Sequence, residues 1–181
     1  TLQTPRTHKH RTMTGTRVLE HTVLRVTDLD DALAFYTDVM GLVELNRDDD
    51  IVYLGCGLDE NYDLGLVEGG TGVEHFAIRV PDSETLADYE TRLEDAGVDV
   101  TRTDSGEYSQ DEGIRFSLPS GVDMELVTVE DPDYLHPTQA AEGRGGIAPR
   151  NLDHINLMSH IVDEDVDFLT DHVDFKVSDK I

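Results

Sequence analysis

The chain has 181 residues, room for one sizeable domain or one domain and part of another, and its 38% hydrophobic content includes no apolar run long enough to span a bilayer. Fourteen Lys and Arg against 39 Asp and Glu give a net charge of −25, which repels phosphate backbones and anionic lipid and so argues against nucleic-acid and membrane partners. Cys56 is the only cysteine, so no disulfide framework exists and a reducing cytoplasm is the expected compartment.

Residues 1–16 open with "TLQTPRTHKHRT", which is basic, Thr-rich and without apolar periodicity, and read as a disordered basic tail. From there on, acids are interleaved with apolar residues along the whole chain. That pattern reads as the surface of a halophilic protein, whose self-repulsion is screened in concentrated salt.

The first element, "LEHTVLRV" at 19–26, alternates as a half-buried strand should. Leu19, His21, Val23 and Arg25 are expected on one face, Thr22, Leu24 and Val26 on the other, toward a helix. "DLDDALAFYTDVMG" follows with a broad apolar face, Asp28 as N-cap and Gly41 as terminator. "GLVEL", "IVYLGCG" and "YDLGLVE" are three further strands. The order then repeats. "VEHFAIRV" at 73–80 is a second copy of the opening strand, "DSETLADYETRLEDAG" a helix capped by Asp82 or Ser83 and ended by Gly97, and "GVDVTRT", "GIRFSLP" and "DMELVTVE" three strands, with "LPSG" a tight turn. Two βαβββ modules are therefore expected, 17–70 and 71–130, in an α+β domain spanning 17–130. Residues 131–151, rich in Pro and Gly, read as a flexible connection. "LDHINLM" at 152–158 is a weaker third copy of the strand, followed by a helical pattern in "DEDVDFLTDHVDF", with Asp174 where a glycine would be expected.

Overlaying "YDLGLV" on "VDMELV" sets Gly65 opposite Glu125. If the two modules are related by a pseudo-twofold axis, His21, His75 and Glu125 point to one cavity, with Gly65 leaving the fourth corner empty. Two imidazoles and a carboxylate with an open position suit non-haem Fe(II), Mn(II) or Zn(II). Without an ion, an inward Glu125 would need an arginine, with Arg25 or Arg79 as candidates. Pairing with local acids is the plainer reading of those two arginines.

The repeated "EHTVLRV…ALAFYTDVMGLVEL" and "EHFAIRV…PSGVDMELV" resemble the vicinal oxygen chelate superfamily of glyoxalases, bleomycin- and fosfomycin-resistance proteins and extradiol ring-cleaving dioxygenases. The resemblance implies paired βαβββ modules forming a half-open β-barrel. "RFSLPSGVDMEL" and the connection ending "APRNLDHINLM" are most similar to catechol 2,3-dioxygenases. Those enzymes carry four modules, the last two catalytic. The resemblance makes His154 the first iron ligand and sets a second His, a Glu and the acid/base His and Tyr downstream. It implies Fe(II), a small aromatic diol, O2 and a homo-oligomer, with residues 152–181 as the first strand and helix of a third module cut short. Two other readings stay open: a two-module lyase, isomerase or thiol transferase using His21, His75 and Glu125, and a metal-free small-molecule-binding protein.

Overall fold

The structure is a computed structural model that describes residues 18–129 and 143–179; the expected basic tail and most of the 131–151 connection lie outside them. Strand β1 (Leu19–Val26) leads into helix α1 (Leu29–Ala34), which widens into a π-helical turn over Phe35–Val39. Strands β2 (Val43–Arg47), β3 (Ile51–Gly55) and β4 (Leu64–Glu68) complete the first repeat. The second runs β5 (Gly72–Arg79), α2 (Ser83–Asp95), β6 (Thr101–Arg102), β7 (Gln110–Ser117) and β8 (Asp123–Val129). Helix α3 (Val162–His172) follows the connection. The architecture is mixed α+β: among the described residues, eight strands form one open sheet in the order β2-β3-β4-β1-β5-β8-β7-β6.

That order is the repeat made visible. β1 and β5 pair antiparallel at the centre, and each runs parallel to the last strand of its own repeat, β4 or β8. Both helices start where their sequences say. The Asp28 carboxylate accepts from the Asp31 amide at 2.9 Å and that of Asp82 from Thr85 at 2.8 Å. Both stop at a left-handed glycine, Gly41 with φ +76 and Gly97 with φ +80. Leu86, Tyr89 and Leu93 of α2 are fully buried against β5, β7 and β8, each burial worth about 2 kcal/mol. Leu24, Val26 and α1 residues build the equivalent core of the first repeat with Leu54 and Leu66.

The connection is not a loose tether where it is described. The Arg144 guanidinium binds the carbonyls of Gly41 (2.8 Å), Cys56 and Pro149 (3.0 Å). The Ile147 and Ala148 amides donate to Val39 and Met40, closing the carbonyl end of the π-helical turn. A side chain at Gly41 would collide with the Gly145 carbonyl, whereas one at Gly97 would meet open space. Gly97→Ala is therefore expected to lose only the strain of the left-handed backbone, about 1 kcal/mol. Gly41→Ala should lose a further 1–3 kcal/mol or so, because backbone must move. Urea melts of the two variants check the difference.

Residues 152–158 carry no ladder hydrogen bonds and run without regular secondary structure. They lie against the helix-bearing face, where Leu152, Ile155 and Leu157 pack on the α2 core, so neither sheet edge is within reach as a partner. Helix α3 does form. Ser120 donates its amide to the buried Asp165, and Asp174, at φ +58, is held by the Tyr89 hydroxyl and Arg92 (2.9 and 2.8 Å). Those two donors, together with Val173 buried in the core behind it, oppose the strain that a glycine would have avoided.

Candidate functional site

His21 and His75 lie on β1 and β5, and Glu125 on β8, all within 1% of full burial on the face away from the helices. His21 pairs in register with Ala77, and His75 with Val23, so the two imidazoles meet across the central strand pair, ring centroids 5.5 Å apart. Glu125 sits beside Ala77. The three expected side chains do converge.

A fourth joins them that the sequence did not single out. Glu107 comes in from the β6–β7 loop, and its oxygens lie 3.3 Å from His21 Nε2 and 3.3 Å from His75 Nε2. Glu125 Oε2 is 3.6 and 3.7 Å from the same two nitrogens. One ligand atom from each of the four residues falls within 4.8 Å of all the others. Glu107 also accepts from the Tyr62 hydroxyl, and Tyr62 in turn stacks on His21 with centroids 4.3 Å apart. The loop thus ties the second repeat to the first.

Gly65 does not leave a vacant corner. It is the register counterpart of Glu125: Gly65 pairs with Val23 and Tyr53 as Glu125 pairs with Ala77 and Arg115. A Cβ there would meet Val23 at 2.8 Å and Ile51 at 3.0 Å. The inner face of the first repeat is closed by an apolar cluster around Val23, Tyr53 and Tyr62.

The arginine expected for an ion-free Glu125 is present, but it is Arg115. Its Nη2 lies 2.8 Å from Glu107 Oε1, 3.1 Å from His75 Nε2 and 3.4 Å from Glu125 Oε2. Arg25 instead reaches the Val73 carbonyl and Glu74, and Arg79 binds Glu20 at 2.5 Å, the local pairing that was the plainer expectation. A β-bulge at Glu20 shifts the register between Leu19 and His21. The extra residue turns Leu19 onto the α2 side, off the face it was expected to share with His21.

The electrostatics follow from these contacts. Burial would raise the Glu107 carboxyl, but the His21 and His75 imidazoles beside it, each 3.3 Å away, hold it far below its ordinary value. Glu125 is likewise lowered against its own burial, by His21, Arg115 and Thr103. Burial would lower His75, yet Glu107 and Glu74, the latter 2.6 Å from Nδ1, push it up to about 9. As an imidazolium His75 has no lone pair for Arg115, whose Nη2 then belongs to Glu107. The Glu107 and Glu125 carboxylates thus face the Arg115 guanidinium and the His75 imidazolium, while Glu74 holds the far side of the His75 ring.

Would a divalent ion fit? In kind, the donors do: two imidazoles and two carboxylates, spaced near the ~3.4 Å that a tetrahedral shell of ~2.1 Å bonds requires. His21 Nε2, buried and without a hydrogen bond, is what a ligand nitrogen looks like. The guanidinium does not fit. It touches three of the four donors, so a cation already takes the charge that the ion would neutralise.

His154, the other expected ligand, is exposed, in a segment whose neighbours Leu152 and Ile155 turn inward. It lines a cavity of about 420 Å³ between that segment and the π-helical turn, together with Tyr36, Met40, Cys56 and Asp63. Among the described residues it belongs to no group of three or more side chains placed to hold a metal ion.

Residues 73–130 match the family model described as the catechol 2,3-dioxygenase-like N-terminal domain. Over 177 residues the chain is 30% identical to the manganese-dependent 2,3-dihydroxybiphenyl 1,2-dioxygenase of Geobacillus genomosp. 3, covering 89% of this chain and 54% of that protein. Over 105 residues it is 34% identical to a probable lactoylglutathione lyase of Vibrio parahaemolyticus, covering 50% of this chain and 73% of the lyase. The chain belongs to the vicinal oxygen chelate superfamily. Within that superfamily its fold matches the solved 2,3-dioxygenase LapB from Pseudomonas sp. KL28 with a TM-score of 0.77 at 30% identity, over 88% of this chain and 59% of that one. The chain spans about half the length of these dioxygenase relatives. No helix among the described residues is long and apolar enough to cross a membrane.

Proposed function

We propose that this chain serves as the N-terminal domain and interdomain segment of an extradiol ring-cleaving dioxygenase, acting on a small aromatic diol and O2. The carrying observation is the reach of the likeness: the dioxygenase match runs through 89% of the chain, past the two repeats, while the lyase match stops at 50%. The whole enzyme's metal would be Fe(II) or Mn(II), one relative being manganese-dependent by name. Such an ion supplies Lewis acidity toward the diol and an electron path from the ring to oxygen.

Among the described residues, this chain's part is positional. One exposed imidazole is not a metal site, so His154 is a ligand in waiting. Arg144 fixes where the connection leaves the first repeat, and Leu152, Ile155 and Leu157 fix the segment on the core. His154 then faces outward from a rigid support, as a ligand shared with further residues has to. The second reading is a two-module lyase-type enzyme, favoured by the convergence of His21, His75, Glu107 and Glu125.

One measurement separates them: ring cleavage, followed by the colour of the semialdehyde product, with metal content per folded protein, on the protein at its native length. In His154→Ala both activity and metal are expected to fall at least about 100-fold, while in His75→Ala folded protein keeps both. The opposite pattern assigns the chemistry to the two-module cluster and overturns the dioxygenase reading.

A further inference from the structure

The described residues hold one cluster in which four candidate ligands and a cation compete for the same space. We propose that the inward face of the two repeats is a latent divalent-cation site, kept shut by its own cation, Arg115, with Glu107 from the β6–β7 loop as the ligand that replaces the missing acid at Gly65. Three geometric facts lead to it, and none depends on what the whole protein catalyses.

The first is the position of the guanidinium. Arg115 Nη2 contacts Glu107, His75 and Glu125, three of the four donors, at 2.8–3.4 Å. An ion bound about 2.2 Å from Glu107 Oε1 could lie no farther than about 5 Å from that nitrogen, beside largely buried side chains. Two positive centres so close compete for the same two carboxylates, and the guanidinium is already in place.

The second is how Arg115 comes to be there. It pairs with Glu125 across β7–β8, and its counterpart in the first repeat is Tyr53, which pairs with Gly65. One repeat carries acid and arginine together; the other carries neither and is filled with apolar side chains. The guanidinium is the side chain that answers the carboxylate.

The third is that the donor set is otherwise whole. His21 Nε2 remains buried without a well-formed hydrogen bond, and Arg115 Nη2 lies against one donor atom of each of the other three residues. Glu107 is anchored from both sides, by Tyr62 of the first repeat and Arg115 of the second. Removing the guanidinium would leave two imidazoles and two carboxylates arranged for a divalent ion, the four-ligand set of a structural metal site.

The test is Mn(II) binding by calorimetry and electron paramagnetic resonance on chelator-stripped protein, in molar KCl so that the acidic surface holds little diffuse ion. Wild type is expected to bind no Mn(II) at this site below about 1 mM, and Arg115→Met to bind one equivalent at least about 100-fold more tightly. Adding Glu107→Gln or His75→Ala to Arg115→Met should abolish the gain. Arg115→Lys, which keeps the charge, should behave as wild type. If Arg115→Met folds poorly, its folded fraction should rise with Mn(II). Tight stoichiometric binding by wild type that His75→Ala removes would overturn the proposal. So would an Arg115→Met variant that gains neither binding nor folding with Mn(II), or a Lys variant that binds as well as the Met one.

Discussion

Glu125→Ala is expected to destabilise the domain by about 3–5 kcal/mol, read as a lower urea midpoint at unchanged slope. The carboxylate is fully buried, and it accepts from the Thr103 hydroxyl, from Gln110 Nε2 at 3.2 Å and from Arg115 at 3.4 Å. The three donors lose their acceptor together. Arg115 keeps Glu107 and Gln110 Nε2 keeps Thr103 Oγ1 at 3.1 Å, but the Thr103 hydroxyl loses its acceptor, and a buried donor left without a partner costs about 1–3 kcal/mol. The space Thr103 and Gln110 would need to turn elsewhere is limited. Their side chains lie where a Cβ on Gly113 would be, so the glycine exists to let them reach Glu125. By contrast the partly exposed Glu90–Arg102 pair should be worth less than about 1 kcal/mol. A Glu125→Ala loss no larger than that would mean that the cluster is solvated in solution.

Much of this arrangement could be read from the sequence, because it repeats. Two strands with the same Glu-His opening, each followed by an Asp-capped and Gly-terminated helix, carry both periodicities and end signals, and a pseudo-symmetric sheet follows from matching the copies. His21, His75 and Glu125 were legible for the same reason. Glu107 was not: it is one acid among 39, in a loop with no period, brought inward by turns at Ser105 and Ser109 with φ 50 and 61. Arg115 left a signal that alternation could have caught. Ile114 and Phe116 are buried on the helix side, so the residue between them must face Glu125. The bulge at Glu20 has no composition of its own and emerges only from the pairing register. Residues 152–158 have a strand's pattern but no neighbouring strand, and pattern alone makes no ladder.

Asp63→Asn is expected to stabilise the protein above pH 6 by about 1–3 kcal/mol and to leave it nearly unchanged at pH 4. Asp63 precedes β4 and accepts the Cys56 amide at 2.7 Å, beneath the first helix. Burial pushes its carboxyl up to about 6, with Asp59 and Glu20 adding to the rise and the Cys56 hydrogen bond opposing it. The folded state therefore holds the proton more tightly than the unfolded chain, where the ordinary value is 3.8. The stability that this proton lends is complete below about pH 4, is lost as pH climbs through about 6, and stays lost above it. A rise from 3.8 to about 6 sets a ceiling of roughly 3 kcal/mol. Asparagine keeps a carbonyl oxygen for the Cys56 amide and never ionises, so it imitates the protonated acid at every pH. Glu107 and Glu125 move the other way, since their lowered carboxyls lend stability that disappears only in stronger acid; that contribution cancels in the difference between variant and wild type. Urea melts of both proteins at pH 4, 5, 6 and 7.5 should show a gap that opens across the middle two values. A gap that does not change with pH, or an asparagine variant weaker than wild type at pH 7.5, would mean that Asp63 is ionised without penalty and that a buried donor beyond the Cys56 amide holds it.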